Sequence, residues 1–350
     1  MKKSWRGFTP TLAAFWDVSD MKLRWALFPV AILLAFVLVS PRSEAVSQTD
    51  INRVIGKQVL NQDDLQVIDT FLAEAIDELV KTRDFTKIAQ TRSVILSKKS
   101  GPAQYNEQFS QSARKYIAEG LQKALTLPED RQKKVLVNLL ILIDRLQDPE
   151  LADLSLDLVG KNDATIVRYW IVHSLSNPAI VAKLRTGGDE GIRRAGEIAN
   201  TFTDIVGTSS PEVLALMARF AAQINMSQAE RLLVAVADAR IEAYNTWNVE
   251  YELIDSTILK TLADKIGNTA GPDQNAAAQR FGQLLHCVMQ RMIKGADRLT
   301  QKQRQHLASV LIEIETKELG RLLGAPQGAI KRAIENKDYA ALQQQYNVLF

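Results

Sequence analysis

The sequence of 350 residues is poor in the residues that form disulfide bonds or bind metals: it has one cysteine and three histidines. A single cysteine cannot form an internal disulfide, which excludes a disulfide-stapled chain. Only 17 glycines and 10 prolines occur, which excludes a collagen-like chain, and a hydrophobic fraction of 46% excludes a disordered one. The length allows one large domain, or two to three ordinary ones, with an ample core.

Motifs that carry known chemistry are absent as well. The sequence has no H-E-x-x-H spacing, cysteine cluster, phosphate-binding Walker loop, dinucleotide glycine signature or G-x-S-x-G elbow. His173 lies in the apolar stretch VRYWIVHSL, which favours a partly buried histidine bonded to a neighbouring helix. Cys287 follows His286 directly, and adjacent helical residues point about 100° apart, so they do not indicate a catalytic pair. We therefore predict no catalytic residue, no metal ligand and no cofactor, and enzymatic activity is left open but disfavoured.

The basic character of the chain is confined to its beginning. The whole sequence has 43 Lys and Arg against 40 Asp and Glu, a net charge of +3 and a pI near 8.8. Residues 1–45 contain six basic and three acidic residues, and residues 46–350 contain 37 of each sign. Residues 46–350 therefore have no net charge, and we predict no nucleic-acid partner.

A stretch of fifteen uncharged residues, 25–39, follows Lys22 and Arg24 and precedes Ser43-Glu44-Ala45. This order of a basic, an apolar and a small-residue segment is typical of a secretory signal peptide cleaved after Ala45. The alternative is an uncleaved signal anchor that contacts the membrane through residues 25–39, because the uncharged stretch between Arg24 and Arg42 is just long enough to span a membrane. Met21 is the expected start of an ordinary leader.

Both interpretations of the leader place residues 46–350 outside the cytoplasm, in the periplasm, the cell envelope or the medium. N-terminal sequencing distinguishes them, because cleavage leaves a mature chain that begins at Val46.

From Val46 onward the apolar residues follow helical spacing. Leu65, Ile68, Leu72, Ile76 and Leu79 define one stripe, and the apolar run 135–143 predicts a buried central helix. Prolines in predicted first turns and capping-box pairs mark where helices begin, and glycines mark where they end. These signals are Pro128, Pro149, Pro178 and Pro211; Ser227 with Glu230 and Thr300 with Gln303; and Gly160, Gly187, Gly188, Gly207, Gly267, Gly295 and Gly324.

The fold class predicted from these signals is all-α. Short helices joined by short turns favour an irregular α-solenoid or a multi-helix bundle of antiparallel helical hairpins, behind the N-terminal hydrophobic leader. We predict one helical domain over residues 46–350, with soft boundaries near 97–111 and 267–275, where the composition becomes polar.

Residues 148–185 resemble one unit of a HEAT-like repeat. Asp148-Pro149-Glu150-Leu151-Ala152 and Asp163-Ala164-Thr165-Ile166-Val167-Arg168 are similar to the segments that open HEAT helices, although Ala164 stands where the family often has proline. The resemblance covers about a tenth of the chain. It implies a scaffold or protein-binding role.

Aromatic and acidic residues concentrate in the segment 242–255, EAYNTWNVEYELID. A binding-site interpretation uses Tyr244, Trp247, Glu250, Tyr251 and Glu252, since aromatics beside carboxylates bind sugars or peptides. The spacing of Tyr244, Trp247 and Tyr251 is also that of a core-facing helical stripe. This second interpretation places the aromatics in the core and the carboxylates in water, and we prefer it.

A net charge of +6 is concentrated between residues 280 and 332. Arg291, Lys294 and Arg298 flank Gly295, where cations favour the end of a helix. The alternative is a basic patch that binds an acidic partner or anionic lipid headgroups.

These features predict an exported or membrane-tethered helical scaffold of the cell envelope that binds an unidentified protein partner. One alternative is an envelope enzyme of helical-toroid type that acts on a glycan or peptide through Glu250 and Glu252. The other is a membrane-anchored structural subunit.

Overall fold

The computed structural model describes residues 48–268, 272–295, 297–324 and 328–350. The leader, with residues 25–39 and the cleavage position Ala45, lies outside these ranges. The described residues belong to one compact unit, Val46–Phe350, and contain no strand. The all-α fold class is confirmed, and none of the described helices is both long and apolar enough to cross a bilayer.

The helices are α1 (Gln48–Val54), α2 (Gln62–Lys81), α3 (Phe85–Ser97), α4 (Ala103–Leu125), α5 (Glu129–Leu146), α6 (Pro149–Leu156), α7 (Thr165–Leu175), α8 (Pro178–Thr186), α9 (Gly188–Ile205), α10 (Pro211–Gln223), α11 (Ser227–Asn245), α12 (Ile254–Asn268), α13 (Pro272–Lys294), α14 (Gln301–Ile314), α15 (Gly320–Leu323), α16 (Ala329–Glu335) and α17 (Tyr339–Leu349). A 3-10 turn, Val206–Thr208, follows α9, and a π-helical segment, Glu315–Leu319, joins α14 to α15.

The helices stack in two rows, in agreement with an irregular α-solenoid. In one row α2, α5, α7, α10, α12, α14 and α16 each contact the next. In the other row α4, α6, α8, α9, α11, α13 and α17 do the same. Contacts between the rows join helices close in the chain, such as α10 with α11 and α12 with α13. The core therefore runs as a continuous layer between the two rows.

Most of the predicted helix starts are present. Helices α6, α8 and α10 begin with Pro149, Pro178 and Pro211, where the missing N–H of proline costs no hydrogen bond. The Asn177 side chain accepts from the backbone N–H of Ala179 at 3.0 Å, which caps α8. Thr300 and Gln303 form the capping box that their spacing predicts. Helices α6 and α7 begin where the HEAT resemblance places helix starts, while membership of that family stays a prediction.

Two of the residues predicted to mark a helix end do not do so. Ser227 is the first helical residue of α11 and its hydroxyl donates to Gln228, so it does not cap the helix. Gly267 lies inside α12 instead of ending it. Gly324, in contrast, ends α15 with a φ of 67°, the left-handed conformation that a glycine adopts without strain.

The apolar run 135–143 lies in α5 and is largely buried, as predicted. Its fully enclosed side chains include Leu136, Leu139 and Leu142. The polar stretch 97–111 contains the connection 98–102 and the first two turns of α4, whose Tyr105 and Phe109 are buried. The stretch 267–275 covers the end of α12 and the start of α13.

Candidate functional site

The segment 242–255 forms a helix end, a loop and a helix start, which corrects the interpretation of one continuous helical stripe. Helix α11 ends at Asn245 and α12 begins at Ile254. Between them Trp247 and Tyr251 have φ angles of 57° and 55°. A bulky residue with positive φ is unusual and persists only where the surrounding structure holds it. We call residues 246–253 the aromatic loop.

Burial in and around the aromatic loop contradicts the preferred prediction at four residues, Trp247, Tyr251, Glu252 and Asp255. Trp247 is 45% exposed, Tyr251 48% and Leu253 46%. The carboxylates of Glu252 and Asp255, expected in water, are buried. The core-stripe interpretation is therefore wrong for Trp247 and Tyr251, because the left-handed turns rotate their side chains away from the core. It is correct for Tyr244, which is buried at the last turn of α11.

Arg240 and Asp255 form a buried ion pair beneath the loop. Asp255 accepts two hydrogen bonds from Arg240, at 2.7 and 3.0 Å, and a third from the hydroxyl of Tyr244 at 2.6 Å. Burial lowers the pKa of Arg240, but the hydrogen bond and charge of Asp255 outweigh it and raise that pKa above its ordinary value. Burial, followed by the charge of Asp255, raises the pKa of Tyr244 well above its ordinary value. These shifts favour the charged guanidinium of Arg240 and the protonated phenol of Tyr244, whereas burial raises the pKa of Asp255 above its ordinary value.

Arg291, from the last turn of α13, holds the loop backbone from the other side. Its guanidinium donates to the carbonyls of Trp247 and Val249, at 3.2 and 3.3 Å, and lies 5.6 Å from the Trp247 ring centre. Arg240 adds a hydrogen bond to the carbonyl of Glu250 at 3.3 Å. The two arginines therefore bind three loop carbonyls and fix the conformation in which the aromatic rings face outward.

Glu252 is enclosed between Arg291 and His306. Its carboxylate lies 3.6 Å from Arg291 and 3.5 Å from the ring nitrogen of His306 on α14. Among the described residues neither Glu252 Oε1 nor Arg291 Nε has a hydrogen-bond partner. This carboxylate is thus buried and lies at ion-pair distance from the Arg291 guanidinium.

The structure brings together six of the eight predicted residues at the aromatic loop and leaves two apart from it. Tyr244, Trp247, Tyr251, Glu252 and Arg291 lie in or under the aromatic loop. Glu250 is exposed on the loop, and Lys294 and Arg298 are exposed around the end of α13. Arg291 and Lys294 lie in the last turn of α13, as the helix-dipole interpretation predicts, but Arg291 is buried and does not belong to a surface patch.

Sequence reasoning missed Arg240, Asp255 and His306. A signal for Arg240 was present: it follows Leu233 and Val236 at spacings of three and four, within the apolar stripe of α11. A charged residue inside such a stripe indicates a buried pair, because an unpaired buried charge is too costly. Its partner Asp255 ends the acidic segment 242–255 and lies in the next helix, but nothing local in the sequence marks it as the partner of Arg240.

His173 is bonded to a neighbouring helix, as predicted. Its Nδ1 lies 3.1 Å from a carboxylate oxygen of the buried Asp144 on α5, which also accepts from Asn177 at 2.8 Å. Burial raises the pKa of Asp144, but the hydrogen bonds from His173 and Asn177 outweigh it, and the pKa lies below its ordinary value. The pair therefore ties α5 to the connection between α7 and α8.

The lowered pKa of Asp144 makes stability depend on pH. Because the folded-state pKa is lower than the unfolded one, its contribution is full above the ordinary carboxyl range and is lost as the pH falls through the folded-state pKa. We expect Asp144→Asn to cost about 1–3 kcal/mol at neutral pH and much less in acid. Urea unfolding between about pH 7 and pH 3 measures this; an equal cost at both ends would contradict it.

The other two functional candidates form structural contacts. The His286 ring packs against Tyr346 and Phe350 of the C-terminal segment, and its Nδ1 lies 2.9 Å from the Tyr346 hydroxyl. Burial, followed by the charge of Asp255, raises the pKa of the half-buried Cys287 thiol, which keeps it protonated. No group of three or more potential metal ligands occurs in the part of the chain that the structure describes.

Comparison with known proteins identifies no family. No family model matches the chain, and no curated protein matches it. Among solved structures, the crystal structure of an engineered protein is 14% identical and covers 85% of this chain and 94% of its own, with a TM-score of 0.19. A TM-score this low does not establish a shared fold.

Proposed function

We propose that this chain is an exported or membrane-tethered helical binding protein of the cell envelope, and that the aromatic loop is its contact surface for a protein partner. The location is supported by the order of charged, apolar and small residues up to Ala45, which is typical of a leader. The binding role is supported by the solenoid-like stacking, which presents connecting loops along its edges.

The observation that carries the proposal is the exposure of three large apolar side chains on a rigid base. Trp247, Tyr251 and Leu253 lie within seven residues and are each about half exposed. Scattered exposed apolar residues need no explanation, but a group of them, rich in aromatics, is typical of an interaction site. Because two buried arginines already fix the loop backbone, a partner loses little free energy in ordering it.

The geometry does not support acid–base chemistry by Glu250 and Glu252. Such chemistry requires two carboxylates that converge on a cleft. Glu250 is exposed on the outside of the loop, whereas Glu252 is buried against Arg291 and His306. A cavity of about 480 Å³ between α11, α12 and α13 is lined by neither of them.

The proposal is tested by photo-crosslinking from the loop. Tyr251 is replaced by benzoylphenylalanine in the full chain, which is then irradiated in cells of the source organism. We expect a discrete crosslinked protein that disappears when Trp247→Ala is added, because the partner loses its main aromatic contact. The matched control places the same probe at Phe85, which is exposed on α3.

Two outcomes would refute the proposed contact surface. One is the absence of any discrete adduct from position 251. The other is an adduct that also forms from position 85, or that persists unchanged in the Trp247→Ala background, since either result indicates random collision.

A further inference from the structure

The chain between α11 and α12 contains no residue that ends a helix. Residues 227–266 include neither glycine nor proline, the two residues that interrupt helices most strongly. By contrast, glycine lies in the connections that follow α1, α3, α6, α9 and α13, at Gly56, Gly101, Gly160, Gly207 and Gly295. Local sequence therefore allows a single helix that runs from the start of α11 to the end of α12.

The apolar stripe of α11 continues through the aromatic loop into α12. Tyr244, Trp247, Tyr251, Ile254 and Ile258 follow one another at intervals of three or four residues, which is the spacing of one helical face. The structure breaks this continuity, since Trp247 and Tyr251 have left-handed φ angles of 57° and 55°. Left-handed backbone is costly for such bulky residues, so the loop is strained where a continuous helix would not be.

The contacts that hold the strained loop come from outside it. Arg291 on α13 donates to two carbonyls of the loop, and Arg240 on α11 donates to a third. The contact with Arg291 is incomplete, because its Nε and Oε1 of Glu252 are buried without a hydrogen-bond partner among the described residues. A strained connection that is held in this way favours an alternative packing in which the strain is released.

The contacts on either side of the loop do not require both halves to come from one chain. Helices α10 and α11 pack against α12 and α13, and the buried pair of Arg240 and Asp255 lies between the halves. In a continuous helix these two residues of one chain would lie about 22 Å apart along the axis. Arg240 would then pair with Asp255 of a second copy, and the same core would form between the copies.

We infer that this chain forms a dimer by exchanging halves, in which α11, the aromatic loop and α12 become one helix about 63 Å long. Helices α12 to α17 of each copy pack on α1 to α11 of the other. The monomer retains the guanidinium contacts to the loop, whereas the dimer gains helical hydrogen bonds across 246–253 and loses the left-handed strain. The dimer therefore lacks the contact surface that the loop provides in the monomer.

The test links two copies at positions that meet across the halves. Asp238 on α11 accepts a hydrogen bond from Arg280 on α13 at 3.0 Å, so cysteines at these positions lie within reach of a short bismaleimide. One full chain carries Asp238→Cys and the other Arg280→Cys, each with Cys287→Ala, and the two are refolded together from urea. We expect a cross-linked product of two chains on a denaturing gel, with a yield that rises with protein concentration.

Two matched variants identify the origin of this product. Glycine adopts left-handed backbone without strain and disfavours helix, so Trp247→Gly/Tyr251→Gly should lower the dimerisation constant at least about 100-fold. Glu119→Cys, an exposed change on α4, replaces Asp238→Cys in the second control. It should give no product with the Arg280→Cys chain, because α4 and α13 are not neighbours in the fold.

The absence of a two-chain product from positions 238 and 280 overturns the inference. So does an equal yield from Glu119→Cys, which indicates random collision, or a yield that the glycine variant leaves unchanged, which excludes the loop as the hinge. These failures are separable from failure of the proposed function. A partner that crosslinks from position 251 without any two-chain product contradicts only the exchange of halves.

Discussion

Replacing Arg240 with methionine is expected to destabilise the fold by about 3–5 kcal/mol, because it leaves Asp255 buried without a cation. Asp255 is fully enclosed and accepts two of its three hydrogen bonds from Arg240. The variant also removes the donor to the Glu250 carbonyl, so the aromatic loop loses one of its three attachments. Urea unfolding followed by circular dichroism measures the change in the free energy of unfolding.

A triple variant distinguishes the destabilisation caused by an unpaired buried charge from the destabilisation caused by lost packing. Arg240→Met combined with Asp255→Leu and Tyr244→Phe removes the unpaired carboxylate and the hydroxyl that donates to it. Replacing a complete buried polar set with apolar residues of similar volume is often nearly neutral. We expect the triple variant to recover most of the lost stability. If it is as unstable as Arg240→Met alone, the loss comes from packing and not from the unpaired charge.

Replacing Arg291 with methionine is expected to have a comparable effect and to disorder the aromatic loop as well. Glu252 would keep only His306, at 3.5 Å, and the carbonyls of Trp247 and Val249 would lose their donors. We expect a loss of about 3–5 kcal/mol in the free energy of unfolding. Limited proteolysis should cut between residues 246 and 253 in the variant under conditions that leave the native protein intact.

Arg291→Lys is the matched variant, because it retains the charge beside Glu252 but cannot donate to two carbonyls from one planar group. We expect it to cost about 1–3 kcal/mol and to show intermediate cleavage in the loop. Wild-type stability and protease resistance in the lysine variant would show that the forked geometry is unimportant. Wild-type behaviour of Arg291→Met would contradict the role assigned to the whole contact.

Local patterns predicted the helices well because the interactions that form them are local. Pro149, Pro178 and Pro211 begin helices, and Thr300 bonds within its own first turn, so each signal is contained in a few neighbouring residues. The apolar run 135–143 was interpreted as a buried helix for the same reason. The Ser227 and Gly267 signals failed by small shifts of a helix end: α11 begins at Ser227 with Met226 as its N-cap, and α12 continues through Gly267 to Asn268.

The same local pattern was ambiguous in the candidate site. Tyr244, Trp247 and Tyr251 have a spacing that fits a continuous helix and equally fits a helix, a loop and a second helix. Local spacing does not distinguish them, since the left-handed turns at Trp247 and Tyr251 are held by guanidinium groups and not by their neighbours in the chain.

By itself, the sequence determined that the part of the chain after the leader is helical and where many of the described helices begin, and it marked 242–255 as an aromatic and acidic segment. Only the tertiary structure decided which of those aromatics face water and which carboxylates are buried. The physical reason is that burial of Glu252 and Asp255 depends on Arg291 and Arg240, cations brought to them from other helices by the packing of the two rows.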